Sequence, residues 1–295
     1  MKGLRSYRYR VVDVFTERPL EGNALAVFPD ASGLDDETMR KIAREMNLSE
    51  TTFISPASRA DCAAKVRIFT PNKEMIFAGH PTIGSSFVML DEGIVHRDSE
   101  RFNLEEKVGP VSIRVESGER PLIWLTTPTI TYGRTFDRGL CARALGIEPG
   151  DLLEIAPQLL SAGNPTIFIA VKDKEVVDRA WLDLQGMAML TDGRPEPACV
   201  FVFAPAKGGA YSRMFAPEYG IIEDPATGSS TGPLAAYMLR HGLISGLAGS
   251  RFVSEQGTKM GRRSILHVQL HGEHGVDGIE VGGQVTPVAE GALRL

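Results

Sequence analysis

Phe69-Thr70-Pro71, leading to His80-Pro81-Thr82-Ile83-Gly84-Ser85-Ser86, returns later in the chain as Phe215-Ala216-Pro217, leading to Asp224-Pro225-Ala226-Thr227-Gly228-Ser229-Ser230. A second landmark stands ahead of each stretch. Gly22-Asn23-Ala24-Leu25-Ala26-Val27-Phe28 precedes the first, and Gly163-Asn164-Pro165-Thr166-Ile167-Phe168-Ile169 precedes the second at a closely similar distance. Chance can supply one such pair. Two pairs, in order and at matching spacing, indicate a duplicated module. In this alignment His80 of the first copy falls on Asp224 of the second, and each is followed by Pro and then by Gly-Ser-Ser.

The module reads as mixed α+β. Residues 11–15, 24–28, 52–54 and 64–69 are β-branched or aromatic runs bounded by turn residues, as strands are. Residues 35–47 have Met39, Ile42, Ala43 and Met46 at helical spacing, with Asp35 or Asp36 able to cap the start. A second helix is expected after each Gly-Ser-Ser, one stopping near Gly93 and the other at Gly242. Both are apolar around most of the circumference, as in Ala235-Ala236-Tyr237-Met238-Leu239, so each is expected to be buried on all sides and wrapped by strands. The Pro/Thr/Gly-rich residues 126–133 mark the expected boundary.

Composition narrows the function classes. The 295 residues are 43% hydrophobic and 23% charged, with a net charge of −5. That length suits two domains, each able to bury its own core. The modest negative charge argues against a nucleic-acid surface, which needs a basic patch. No apolar run is long enough to span a membrane. The basic start of the chain leads into Val11-Val12 and Asp13, not an apolar stretch of the signal-peptide kind. Cys62, Cys141 and Cys199 are odd in number and far apart, which points to reduced thiols and a cytoplasmic setting.

Chemistry concentrates at three ionisable residues. A residue before proline is biased to extended backbone, so His80 and Asp224 are each expected at a strand end, just ahead of a buried helix. Helix N-termini carry unpaired N–H groups and the positive dipole end. Gly84-Ser85 and Gly228-Ser229-Ser230 would let a substrate carboxylate approach those groups. Such Gly-Ser-Ser runs also serve simply as caps. Glu50, in Asn47-Leu48-Ser49-Glu50-Thr51-Thr52-Phe53, sits where a helix hands over to an apolar strand. Partial burial there would raise a carboxyl pKa toward the range of a general base. Glutamates in such turns are more often solvated or capping, so spacing alone leaves the role of Glu50 open.

Several motifs in order resemble the PhzF (phenazine biosynthesis-like) family. They are Glu21-Gly22-Asn23, the run from Glu45 through Ser49-Glu50-Thr51 to Phe53, Arg67-Ile68-Phe69-Thr70-Pro71, Phe77-Ala78-Gly79-His80-Pro81-Thr82, Glu223-Asp224-Pro225-Ala226-Thr227-Gly228-Ser229 and Val281-Gly282-Gly283-Gln284-Val285. The resemblance spans almost the whole chain. It implies the diaminopimelate-epimerase-like fold: two tandem pseudo-symmetric domains, each a barrel-like β-sheet around a central α-helix, with the active site in the cleft between them. The expected division is 1–128 with 284–295, and 129–283. The resemblance further implies Glu50 as the proton-transfer residue, His80 and Asp224 as its assistants, and Asn23, Gly79, Gly228 and Ser229 as substrate-binding positions. No metal or organic cofactor is implied. The implied partners are a small carboxylate-bearing substrate and a second copy of the chain. The family's type reaction isomerises trans-2,3-dihydro-3-hydroxyanthranilate by moving a proton between ring carbons. One departure is Ala24, where the family more often has proline after Gly-Asn.

Related racemases and epimerases on this fold use two thiols at the repeat-equivalent positions, read here as His80 and Asp224. Neither is a cysteine, which favours a one-base proton shift in which Glu50 has no ionisable counterpart in the second copy. Gly228-Ser229-Ser230-Thr231-Gly232 matches the nucleophile-elbow pattern of hydrolases, but little strand precedes it. His267, His271 and His274 could suggest a metal. His267, Gln269 and His271 instead alternate with Leu266, Val268 and Leu270, as on the wet face of a strand. Gly79 and Gly84 form no dinucleotide fingerprint. The isomerase is therefore carried forward with two alternatives, a non-catalytic small-molecule binder using the same cleft and an amino-acid epimerase or racemase.

Overall fold

The computed structural model describes residues 5–191, 199–271 and 278–295. The chain forms two compact units, Met1–Thr126 with Gly282–Leu295, and Thr127–Val281.

In the first unit β1 (Ser6–Val14) pairs antiparallel with β2 (Asn23–Phe28). Helix α1 (Asp36–Met46) then crosses over to β3 (Glu50–Ser55), which lies parallel to β2. The helix starts where the Asp35 carboxylate accepts the Thr38 amide at 2.7 Å, and it ends at Asn47 in the left-handed conformation (φ 50°). Met39, Ile42 and Ala43 form its buried stripe. Next come β4 (Ala64–Phe69), β5 (Glu74–Met75), α2 (Gly79–Asp91), β6 (Arg101–Glu106), β7 (Gly109–Glu116) and β8 (Leu122–Thr126). β4 is antiparallel to β3 and β5 and parallel to β6, while β6, β7 and β8 form a meander.

Helix α2 packs against β1, β2, β3, β4 and β8, so the sheet of this unit curls around it. Every residue from Gly79 to Leu90 except Phe87 is buried. Gly84 makes that possible, because a Cβ there would sit 2.6 Å from Leu25 Cδ2 and 2.9 Å from Val14 Cγ2. The helix begins earlier than the sequence suggests. His80 lies in its first turn, not at a strand end, and Gly84-Ser85 lie inside the helix. The reason is Pro81, whose missing N–H is no loss in a first turn, where amides have no intrahelical acceptor.

The second unit contains β9 (Thr131–Thr135), α3 (Arg138–Leu145), β10 (Gln158–Ser161), β11 (Thr166–Ala170), α4 (Lys174–Arg179), α5 (Leu184–Thr191), β12 (Cys199–Ala206), β13 (Gly209–Ala216), β14 (Ile221–Asp224), α6 (Gly228–Arg240), β15 (Arg251–Gln256) and β16 (Ser264–Leu270). β17 (Ile279–Gly283) leads to β18 (Val285–Arg294), which returns to the first unit and pairs with β1. Helix α6 is buried from Gly228 to Met238.

The pairing order repeats. β1–β2 antiparallel, β2–β3 parallel, β3–β4 antiparallel, β4–β6 parallel and β6–β7 antiparallel are matched by the same sequence of pairings through β10–β11, β11–β12, β12–β13, β13–β15 and β15–β16. The fold is thus mixed α+β, sheet-dominated and tandemly duplicated, with a buried helix in each copy. Among the described residues, no helix is long and apolar enough to cross a membrane.

Candidate active site

Four of the expected site residues converge in the first unit. Glu50 opens β3 directly after the turn that the left-handed Asn47 imposes on the end of α1. Its carboxylate is buried, and Oε2 lies 3.3 Å from His80 Nε2. The contact is close without being an aligned hydrogen bond. On the other side of the ring, Asn23 Nδ2 lies 3.2 Å from His80 Nδ1. An amide N–H can only donate, so Nδ1 is the acceptor and the ring proton of a neutral imidazole sits on Nε2, facing Glu50. Burial pushes the His80 imidazole down to about 3, so the ring rests neutral at pH 7. Gly79 is the first residue of α2, and Ala78 before it makes no side-chain cap. The Gly79 and His80 amides thus stand at the positive end of a buried helix.

The remaining three lie in the second unit. Asp224 is the last residue of β14, and its buried carboxylate accepts the Thr227 hydroxyl at 2.5 Å. Gly228 and Ser229 begin α6, whose N-cap Thr227 likewise makes no side-chain cap. Ser229 Oγ accepts from Asn164 Nδ2 at 3.1 Å. Gln256, at the end of β15, ties this corner together: Oε1 accepts the Thr227 amide at 3.1 Å, and Nε2 donates to the Asp224 carbonyl at 2.7 Å and to Thr227 Oγ1 at 3.0 Å.

The alignment of His80 with Asp224 does not survive the strand register. Ile68 opposes Met75 across β4–β5, and Met214 opposes Asp224 across β13–β14, so Asp224 corresponds to Met75. The two buried helices, each of 13 residues, then start at corresponding positions, Gly79 and Gly228. His80 therefore corresponds to Ser229. Three sets of hydrogen bonds agree. Asn23 reaches His80 as Asn164 reaches Ser229. The Thr82 hydroxyl donates to the Ala78 carbonyl at 2.7 Å, as the Thr231 hydroxyl donates to Thr227 at 2.9 Å. Arg67 grips Glu74 at 2.8 Å, as Arg213 grips Glu223. The misalignment has a physical cause: the hairpin from Met214 to Asp224 pairs further along both strands, with a register irregularity between Met214 and Ala216, than the hairpin from Ile68 to Met75, and this shifts the following motif out of step.

A second correction concerns Glu50. Leu25 pairs with Glu50 in the first unit, and Thr166 pairs with Cys199 in the second. Leu25 and Thr166 hold the same place after the Gly-Asn landmark, so Cys199 is the register counterpart of Glu50. It is buried and is not in a disulfide. Sequence reasoning also passed over Asn164, Thr227 and Gln256 as site residues. Their only signal was proximity to the repeated landmarks and, for Gln256, the likeness of Arg251–Gln256 to Arg101–Glu106.

Of the histidines weighed as metal ligands, His267 lies on the partly exposed face of β16, and His271 Nε2 lies 2.9 Å from Glu280 Oε2. His274 lies outside the described residues. Ser230, of the elbow-like pattern, is buried in α6 with its hydroxyl 2.8 Å from Thr166 Oγ1.

Comparison with known proteins gives a consistent result. The family model described as phenazine biosynthesis-like protein, PhzC-PhzF, matches residues 12–291. The trans-2,3-dihydro-3-hydroxyanthranilate isomerase of Pseudomonas aeruginosa is 34% identical over 292 residues, covering 98% of this chain and 100% of that protein. A predicted epimerase of known structure from Pseudomonas aeruginosa is 33% identical, with a TM-score of 0.81 over 97% of this chain and 99% of that one. The PhzF-family phenazine biosynthesis protein of Bacillus anthracis shares the fold, with a TM-score of 0.87 at 24% identity over 99% and 100% of the two chains.

Proposed function

We propose, from the premise that this chain belongs to the phenazine biosynthesis-like (PhzC-PhzF) family, that it is an isomerase moving a proton between carbons of a small carboxylate-bearing substrate, without a metal or organic cofactor. Glu50 is the proton carrier. It takes a proton from one carbon of the substrate as the adjacent π electrons shift, and returns it to another carbon. The observation that carries this reading is the buried pair of Glu50 and His80 at 3.3 Å, with the imidazole tautomer set by Asn23. A neutral ring presenting Nε2–H stabilises the Glu50 carboxylate without competing for the proton it must accept. The open amides at Gly79 and at Gly228-Ser229 suit a carboxylate of the substrate. Asp224 assists, with its side chain oriented by Thr227. By the same resemblance the protein works as a homodimer in the cytoplasm.

The substrate class is taken from the isomerases this chain resembles, and trans-2,3-dihydro-3-hydroxyanthranilate is the first compound to test. Incubation in deuterated water, followed by mass spectrometry and proton NMR, should give the isomerised product. Deuterium should enter only to the extent that Glu50 exchanges its captured proton with solvent. A compound that binds yet is recovered with every carbon-bound proton in place would favour the non-catalytic binder. Exchange at a stereocentre with inversion, and without a double-bond shift, would favour an epimerase.

A further inference from the structure

Glu106, the last residue of β6, has no part in the site described above, yet it is buried and touches the helix that carries His80. Its Oε1 lies 2.5 Å from Thr82 Oγ1. Thr82 Oγ1 also lies 2.7 Å from the Ala78 carbonyl. A threonine hydroxyl has one proton, and the Ala78 carbonyl can only accept. The two short contacts are satisfied together only if Thr82 donates to Ala78 and Glu106 donates to Thr82, which requires a carboxylic acid. The other oxygen, Oε2, is buried with no hydrogen-bond partner among the described residues. A neutral acid tolerates that, whereas an ionised carboxylate would not.

The internal repeat supplies an independent comparison. Lys65 pairs with Glu105 across β4–β6, and Tyr211 pairs with Glu255 across β13–β15. Glu106 and Gln256 are therefore register counterparts. Gln256 holds the start of α6 through three hydrogen bonds, with a side chain that never ionises. A protonated glutamic acid is the nearest chemical relative of glutamine: one carbonyl oxygen and one donor.

We propose that Glu106 is a positioning residue that works as a neutral carboxylic acid, tying the first turn of α2 through Thr82 and so holding His80 against Glu50. Burial raises its pKa to about 8. The charged groups around it are engaged with one another. Lys65 on β4 pairs with Glu105 at 3.7 Å, Arg67 on β4 with Glu74 at 2.8 Å and Asp36 at 2.6 Å, and Lys107 with Glu74 at 3.4 Å. On α2 the titratable neighbour is His80, which stays neutral throughout this range. Above about pH 8 the acid ionises, its donor is lost, and the first turn of α2 loosens.

The sign of the stability effect follows. A folded-state pKa raised above the unfolded value means that the native state alone holds the proton between about pH 4.5 and about 8, so stability falls as pH rises through that window. Glu106→Gln removes the titration and keeps a donor. Its stability relative to wild type, from urea unfolding at pH 5 to 9, should climb up to pH 8 and then level off. Side-chain NMR signals of His80 should move near pH 8 in wild type and stay still in Glu106→Gln. The infrared carboxylic-acid band of the wild-type protein at pH 7 should fade above pH 8, a measurement that needs no variant. A stability difference that does not change with pH, or no acid band at pH 7, overturns the neutral acid. Unmoved His80 signals overturn the positioning role.

The effect on turnover rests on the proposed function, whereas these three readouts do not. Glu106→Gln should keep turnover at pH 7 and lose the alkaline decline, while Glu106→Ala should lose about tenfold at every pH. An alkaline decline retained in Glu106→Gln would overturn the link to activity.

Discussion

Asn23 Nδ2 stands 3.2 Å from His80 Nδ1 and so assigns the ring proton to Nε2, the nitrogen that faces Glu50. A hydrogen bond of this kind is worth about 1 kcal/mol net, or about fivefold in a rate that depends on it. Asn23→Ala should therefore slow turnover about fivefold while leaving the protein folded, and the His80 nitrogen shifts should report a mixture of tautomers.

Removing the proposed proton carrier should have a larger effect. Glu50→Gln keeps the size and polarity of the side chain but cannot accept a proton from carbon. Loss of general-base catalysis typically costs ~10²–10⁴ in rate. Turnover of the dihydro-hydroxyanthranilate should fall by at least that factor, with the thermal midpoint unchanged. Normal turnover by this variant would remove Glu50 from the mechanism.

His80 should make the protein sensitive to acid. Its folded-state pKa, near 3, lies below the ordinary value of 6.5, so the unfolded chain alone takes up a proton between those limits. The stability linked to His80 is fully present above pH 6.5 and is lost as pH falls toward 3, with a slope of up to about 1.4 kcal/mol per pH unit. His80→Asn should flatten that part of the stability curve. Glu106 gives the opposite slope at higher pH, so the two titrations can be separated by comparing both variants with wild type.

Gly84 tests the packing of the buried helix. Gly84→Ala drives a methyl group into Leu25 and Val14, and overpacking of this kind costs roughly 1–3 kcal/mol. The urea midpoint should drop accordingly. A variant as stable as wild type would show that β1 and β2 yield easily.

Arg213 anchors the segment that ends in Asp224. Its guanidinium donates to Glu223 at 2.9 and 2.8 Å and to the carbonyls of Val177, Asp178 and Ala180, all in a buried setting. Arg213→Met leaves Glu223 as an uncompensated buried carboxylate, a loss of about 3–5 kcal/mol. Arg213→Met combined with Glu223→Gln should recover a good part of it in chemical unfolding.

Local features follow from local chemistry. The helix from Asp36 to Met46, its Asp35 cap and the strand Ala64–Phe69 follow from periodicity and capping residues that need no distant partner. The start of α2 departs from local chemistry because the extended bias of a residue before proline yields to the freedom of a helix's first turn, where Pro81 sits. Glu106 and Gln256 could not be singled out, since their significance lies in contacts made from strands far along the chain.

By itself the sequence determined that this protein is a duplicated α+β chain of the PhzF type and singled out Glu50, His80 and Asp224 as candidates, because repeats and motifs are properties of residue order. Only the tertiary structure decided which residues of the two copies correspond. Parallel and antiparallel registers pair Glu50 with Cys199, His80 with Ser229 and Glu106 with Gln256 as counterparts. The longer, irregular hairpin of β13 and β14 breaks the linear spacing, and hydrogen bonds between strands, not distance along the chain, set the place of each side chain.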